Sequence, residues 1–543
     1  MKLQILAFIL LAFSVFVNFV SGQQADATVA VSEPSSSVRL AAPVPTPTIE
    51  LSEREKSLVE RIEKLEKRID ELESTDRSRT EKIVKEPSPS TAASILPGKD
   101  RDDPNTAIAA QQALTSANQR SEPKKEEPFT FADFTWLTGN PRMTESPISN
   151  EYFTGEFRSD VNFTNSFSHP KDDTIGGSSE VFRSGEFQLT QLGVGGDLHY
   201  KNIRGRLMTQ FGMYSQTTPR NDASPSRGQW NLDNAYRYIS EAYGGYHWNK
   251  WYGINVDAGI FMSYVGLYSY YQFDNWSYQP SYVSSNTPWF FNGIRVQIYP
   301  TKKLKIEPWI INGWQSYGKF NSAPGIGGQI KWAPTGSLVL VANNYFGTDT
   351  LGNKDRKRIH TDDSVQVKYF DEPKGFISKG AFTFTFDAGC EYGGGVSCSN
   401  SSPGRSAQYF IGFMAYNRLW FSNDKYALTL GGGAITNPGR YLVLIPPING
   451  ATAASGTPYF TANPGDKYRA WDASATFDYM PTQFSTFRFE YNHRAANVPY
   501  FSGPGGITPP GGNNGSPGSF VPGWQPDLLK FERRFTIALL VKL

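Results

Sequence analysis

Ile294-Arg-Val-Gln-Ile-Tyr-Pro-Thr-Lys-Lys-Leu-Lys-Ile-Glu-Pro-Trp-Ile-Ile-Asn-Gly-Trp314 is the stretch on which the fold turns. On its first arm Ile294, Val296 and Ile298 alternate with Arg295, Gln297 and Tyr299; on its second, Leu304, Ile306 and Ile310 alternate with Lys303, Lys305 and Glu307. A period of two is the mark of a strand with one apolar and one polar face. Pro300 to Lys302 falls between the arms, where proline presets φ for a tight turn. The stretch therefore predicts a β-hairpin. Its apolar face suits hydrocarbon, and its polar face, carrying both signs of charge, requires water.

Working outward, the same texture continues from Glu151 to Leu543. Alternation and turn signals mark about sixteen strands, with fourteen or eighteen as alternatives, at a mean spacing of about 25 residues. Short connections, such as Tyr200–Ile203, Asn249–Tyr252, Ala333–Gly336 and Met480–Thr482, alternate with long ones, the longest running from Tyr500 to Asp527. Barrels of the outer membrane have this asymmetry, with short periplasmic turns at one rim and long loops at the other. In the last strand Phe535, Ile537, Leu539, Val541 and Leu543 share one face. A barrel closes by pairing its last strand with its first, so such a strand has to persist to its end. The fold class expected is all-β: a transmembrane antiparallel barrel over 151–543, with 129–150 as the lead-in.

Composition agrees. The 543 residues are 14% aromatic and include 50 glycines, with a net charge of +2 and a mean hydropathy of −0.44. A helical membrane protein is far more apolar, whereas a barrel gives half of each strand to a wet interior. Near-neutral charge argues against nucleic acid as a partner.

Ahead of the barrel, Met1-Lys2 and the apolar run Ile5–Val20 predict a secretory signal peptide over 1–22. Residues 23–50 are an aperiodic linker rich in Ala, Ser, Pro and Val. Over 51–76, Leu51, Leu58, Leu65 and Leu72 recur every seven residues with Ile62 and Ile69 between them, predicting a short coiled coil in the periplasm. A second linker, 77–128, follows. The only cysteines, Cys390 and Cys398, predict a disulfide pinning one loop.

Several segments also resemble a known family. Phe131-Ala-Asp-Phe-Thr-Trp-Leu-Thr-Gly-Asn-Pro-Arg142, Gly228-Gln-Trp-Asn-Leu-Asp-Asn-Ala-Tyr236 and Asn286-Thr-Pro-Trp-Phe-Phe-Asn-Gly293 are similar to the β-barrel porin-2 (OmpL-like) family of Gram-negative outer membranes. That resemblance implies a porin and passive diffusion. A coiled coil ahead of a barrel also resembles the layout of sucrose-type sugar porins, which implies a homo-oligomer, a trimer by that analogy. The last strand resembles the signal read by the barrel assembly machinery, although Leu543 stands where an aromatic is usual.

For a pore, chemistry lies in the inward residues. Strand parity points inward Arg158, Arg204, Arg206, Arg237, Arg295, Lys305 and Arg488, and the acidic Glu156, Asp160, Glu241, Glu307, Asp472, Asp478 and Glu490. Facing rows of opposite sign would orient polar solutes; the alternative is that these charges pair across strands. The third long loop, Leu267–Pro288, gathers Tyr268, Tyr270, Tyr271, Phe273, Trp276, Tyr278 and Tyr282 around a single charge, Asp274. It is expected either to constrict the pore and offer a stacking track to sugars, or to serve as an interfacial girdle or in loop packing. The five histidines show no spacing suited to a nucleophile's base, and the two thiols have no histidine near them to complete a zinc site, so neither catalysis nor a metal or cofactor is expected. Asp362-Asp363 and the basic run Lys354–Arg358 read as a solvated loop. The functional expectation is a diffusion porin for small polar solutes, with an envelope tether or adhesin, and then an outer-membrane hydrolase, as the competing classes.

Overall fold

The structure, a computed structural model, describes residues 127–543 apart from 264, 400–405, 439–440, 442–467, 509 and 511–522, together with Lys67. The expected signal peptide, the first linker, the coiled coil but for Lys67 and nearly all of the second linker lie outside the described residues.

The alternating segments close into one antiparallel barrel of 16 strands. The first four are β1 (Phe153–Ser166), β2 (Phe187–Tyr200), β3 (Ile203–Thr209) and β4 (Ile239–Trp248). Next come β5 (Ile254–Met262), β6 (Phe290–Thr301), β7 (Leu304–Ile311) and β8 (Gly325–Thr335). They are followed by β9 (Leu338–Gly347), β10 (Lys357–Asp371), β11 (Ile377–Tyr392) and β12 (Tyr409–Phe421). The last are β13 (Tyr426–Asn437), β14 (Tyr468–Thr482), β15 (Ser485–Ala496) and β16 (Phe531–Lys542). Each pairs with its neighbours in sequence, and β16 closes on β1 with Ile537 opposite Phe163 and Leu539 opposite Val161. The C-terminus completes the seam, where the Leu543 amide donates to the Phe157 carbonyl at 2.9 Å.

The outward residues are apolar and exposed over the whole wall, among them Ile306, Ile330, Phe386, Phe413, Phe477 and Ile537. A continuous apolar outside is tolerated only against hydrocarbon. Aromatic pairs stand at the short-turn rim, with Tyr152 and Tyr200 at 5.8 Å and Tyr246 and Trp248 at 4.6 Å.

Two local expectations change. Pro300 is not in the turn: β6 runs on to Thr301, and the ladder with β7 is irregular between Ile298 and Thr301. A residue without an N–H fits where the ladder is interrupted, and the turn itself is Lys302-Lys303. The second concerns Lys354–Arg358 and Asp362-Asp363: Lys354 and Asp355 do sit exposed in the turn ahead of β10, but the solvated loop ends at Arg356. Lys357 to Asp371 is strand β10, with Arg358, His360 and Asp362 buried on its inner face. Asp363 interrupts the apolar alternation of the outer face, and its carboxylate accepts the Thr361 hydroxyl at 3.0 Å.

A charge on the outer face should be costly. Ile537→Lys, midway along β16, is expected to lower stability by about 2–4 kcal/mol in a denaturant titration of the bilayer-folded protein, against about 1 for Ile537→Val. Equal midpoints for the two variants would place this face away from lipid.

Candidate functional site

The inner wall over β1–β7 carries charge paired across strands. Arg206 on β3 meets Asp197 on β2 at 2.7 Å, Glu241 on β4 at 2.9 Å and Glu156 on β1 at 3.0 Å. Asp257 on β5 lies between Arg204 at 3.2 Å and Arg295 at 2.9 Å. On β7, Lys305 reaches Glu307 at 2.8 Å, and Gln297 donates to the same carboxylate at 2.9 Å. Opposite charges are thus neighbours on one wall rather than facing rows. Strand parity fails for Arg237, which precedes β4, caps the short helix Leu232–Tyr236 and pairs with Asp233 at 3.3 Å.

Across the lumen, the charges of β12–β16 engage the third long loop. Asp478 on β14 binds both Arg418 on β12 and Arg488 on β15 at 2.7 Å. Arg488 then donates to the carbonyls of Gln272 and Ser277 at 3.0 Å and of Asn275 at 2.6 Å, and Arg418 to that of Trp276 at 3.2 Å. Glu490 accepts the amides of Tyr278 and Gln279 at 2.6 and 2.8 Å, and Asp472 accepts the Ser281 hydroxyl at 2.9 Å. Asp160 on β1 accepts the Tyr278 hydroxyl at 2.8 Å. The loop therefore lies folded inside the barrel.

Its aromatics are packed, not displayed. Tyr270 stacks on Trp289 at 5.2 Å, Trp276 meets Trp420 edge-on at 5.6 Å, and the Tyr271 ring lies 4.1 Å from the Arg158 guanidinium. Tyr282 is covered by Arg494 at 4.1 Å, and Phe273 and Tyr278 are buried. Only Tyr268 is partly exposed, and it packs on Tyr416 at 5.2 Å. Ring faces that a sugar would use are covered by protein. Asp274, the loop's one charge, joins Arg158 at 2.8 Å and Lys542 at 3.1 Å.

Other loops thicken the same side. In the first long loop Ser178 donates to Gln279 at 2.5 Å, and Gly177 accepts from Arg494. Asp172 ties that loop to the eighth, accepting the amides of Ile507 and Thr508 at 2.8 and 2.7 Å. Partial burial raises its pKa, but these bonds, with that of the Thr508 hydroxyl, outweigh burial and hold the carboxyl below its usual range. Cys390 and Cys398 form the expected disulfide, with Cα atoms 5.2 Å apart. The Asp478, Arg418 and Arg488 side chains are 0% exposed, whereas Asp197 is 48% and Arg204 27% exposed. Of these charges, those open to water are Asp197 and Arg204, at the short-turn ends of β2 and β3.

Sequence reasoning missed Asp197, Asp257, Arg418, Arg494 and Arg534. Parity on β16 would have found Arg534. On β12, Met414, Tyr416 and Trp420 share the inner face of Arg418, so both faces look apolar and parity is mute.

The family model described as "Putative beta-barrel porin-2, OmpL-like" matches residues 159–515. The chain belongs to this family. It is an outer-membrane porin, a channel and not an enzyme. Similar solved structures include OmpT of Vibrio cholerae, at 10% identity over 74% of this chain and 100% of that one, with TM-score 0.38. An anion-selective porin from Comamonas acidovorans shares 8% identity over 72% and 99%, TM-score 0.41. The outer membrane channel DcaP of Acinetobacter baumannii shares 12% over 72% and 96%, TM-score 0.40. No curated protein matches the chain.

Asp274→Asn removes the charge that latches the loop to Arg158 and Lys542. Planar-bilayer recording is expected to show a larger, flickering unitary conductance; a conductance equal to wild type would mean that the latch does not act on the ion path.

Two carboxyl states are distinguished at the loop clasp. Because the Asp172 carboxyl is depressed in the folded porin, the clasp contributes stability above the ordinary aspartate range, near pH 4, and loses it as pH falls through the lower folded value. Asp172→Asn should therefore increase proteolysis of the first and eighth loops at pH 7, with the difference from wild type shrinking as the pH falls below the ordinary aspartate range; a difference unchanged by pH would contradict this.

Proposed function

We propose that this porin admits small polar solutes, sugars among them, by passive diffusion through the sector of the lumen beside β1–β5. The observation that carries this reading is the half-exposed Asp197 carboxylate on the inner wall, set against a β12–β16 wall sealed by loops. A passage lined by paired charges favours hydrated polar solutes and opposes apolar ones, which cannot replace the water they displace. With its aromatic faces covered, the third loop narrows the lumen without offering a binding track, so sugars pass by size. Of the inward candidates, Arg204, Arg206 and Glu156 line this route, Arg158 and Glu241 lie buried under the third loop beside it, and Arg295, Lys305 and Glu307 support its edge. We also propose a homo-oligomer, a trimer by the architectural analogy, inserted by the barrel assembly machinery with its coiled coil in the periplasm.

Arg295, buried against Asp257, is a poor probe of selectivity, since its reversal would strand two like charges. Asp197→Lys is the better one. The purified porin should show ion-conducting steps that millimolar sugars do not block, and Asp197→Lys should move the reversal potential in a salt gradient toward anion preference. Absence of steps would sink the porin reading, and an unmoved reversal potential would take the route away from β2.

A further inference from the structure

We propose that residues 129–144 are a detachable strap that closes part of the periplasmic mouth and pins the third loop, so that the channel is gated from its N-terminal side. This rests on the porin reading above.

The strap runs along the short-turn rim, which is periplasmic in a porin. The Phe129 amide donates to the Lys302 carbonyl in the β6–β7 turn at 2.8 Å. Its ring lies 5.2 Å from the Lys331 ammonium, and the Phe131 ring 4.9 Å from that of Lys303. Trp136 is fully buried, and its indole N–H donates to the Gly336 carbonyl in the β8–β9 turn at 3.1 Å. Asn140 donates to the Thr482 carbonyl at 3.1 Å, Arg142 to that of Met480, and the Thr144 amide to Gln483 at 2.9 Å, all at the β14–β15 turn. The segment thus bridges the rim from β6 to β15 and leaves the β1–β5 side uncrossed.

Its coupling to the constriction is direct. The Gly139 amide donates to the Asp274 carbonyl at 2.9 Å, and the Gly139 carbonyl accepts from Arg418 at 2.7 Å. One guanidinium therefore holds both strap and loop, since Arg418 also donates to Trp276. A Cβ at position 139 would lie 2.5 Å from the Asn275 carbonyl oxygen and closer still to that of Phe273, so the two backbones meet only through glycine. The strap's own bonds go to turns, to the third loop, to the Arg418 side chain on β12 and to carbonyls at the end of β14, and none of them is a rung of the barrel ladder. It can leave without unzipping a strand, and its departure removes one of the supports of the third loop.

The test uses the full-length porin in planar bilayers. At Gly336 a Cβ would stand 2.6 Å from the Ala132 Cβ, so Ala132→Cys with Gly336→Cys can be bridged after a shift of about 1 Å. The oxidised pair is expected to give small, quiet steps, and reduction should restore wild-type fluctuation. Gly139→Val should raise unitary conductance at least about twofold and expose residues 129–144 to protease. Conductance that is the same oxidised and reduced, or wild-type conductance in a Gly139→Val porin whose strap is cleaved, would overturn the gate while leaving the porin reading standing. No conductance from wild type or any variant would overturn both.

Discussion

Two arginines that share one aspartate organise the interior of this barrel. Burying a guanidinium is unfavourable unless its charge is paired and its donors are bonded. Asp478 neutralises at most one of Arg418 and Arg488, and it leaves several of their N–H groups to find acceptors. The acceptors are loop carbonyls from Gln272, Asn275, Trp276 and Ser277, and one from Gly139. A loop with almost no charge of its own suits that role, because its backbone offers acceptors without adding carboxylates. The wall and the loop complete each other, and neither arrangement is satisfactory alone.

The opposite wall meets the same requirement differently. Arg206 has three carboxylates within 3.0 Å, two from the adjacent β2 and β4 and one from β1 beyond β2, and Asp257 sits between two arginines. These pairs close mostly within the sheet, and the third loop adds only the Tyr271 hydroxyl, 3.0 Å from Glu241, and the Asp274 carboxylate on Arg158. That wall keeps access to water, whereas the β12–β16 wall is covered. The lumen's lopsidedness, and so the path open to solutes, follows from where each strand finds its counter-charges.

Much of this was legible in the residues. Period-two alternation and the contrast of short and long connections pointed to an antiparallel barrel of about sixteen strands, because one face must meet hydrocarbon and the other water, and the structure has 16. Parity also placed Glu307, Asp478 and Arg488 on inner faces, where they are buried. It failed at Arg237, where a short helix delays β4, and it was silent at Arg418, whose strand is apolar on both faces. What no local pattern carries is the partner. Arg488 and Gln272 are 216 positions apart, and their meeting depends on barrel closure and on the loop turning inward. The aromatic run in that loop signalled burial, but only the fold decides that the rings are covered by the wall instead of facing a solute.

The inward loop is the claim on which the account depends, and hydrogen exchange measures it directly. In the bilayer-embedded porin, amides of residues 268–287 should exchange as slowly as those of the strands that hold them, β14 and β15. Exchange as fast as that of the exposed surface segment around Trp230 would show the loop outside the lumen and contradict the account.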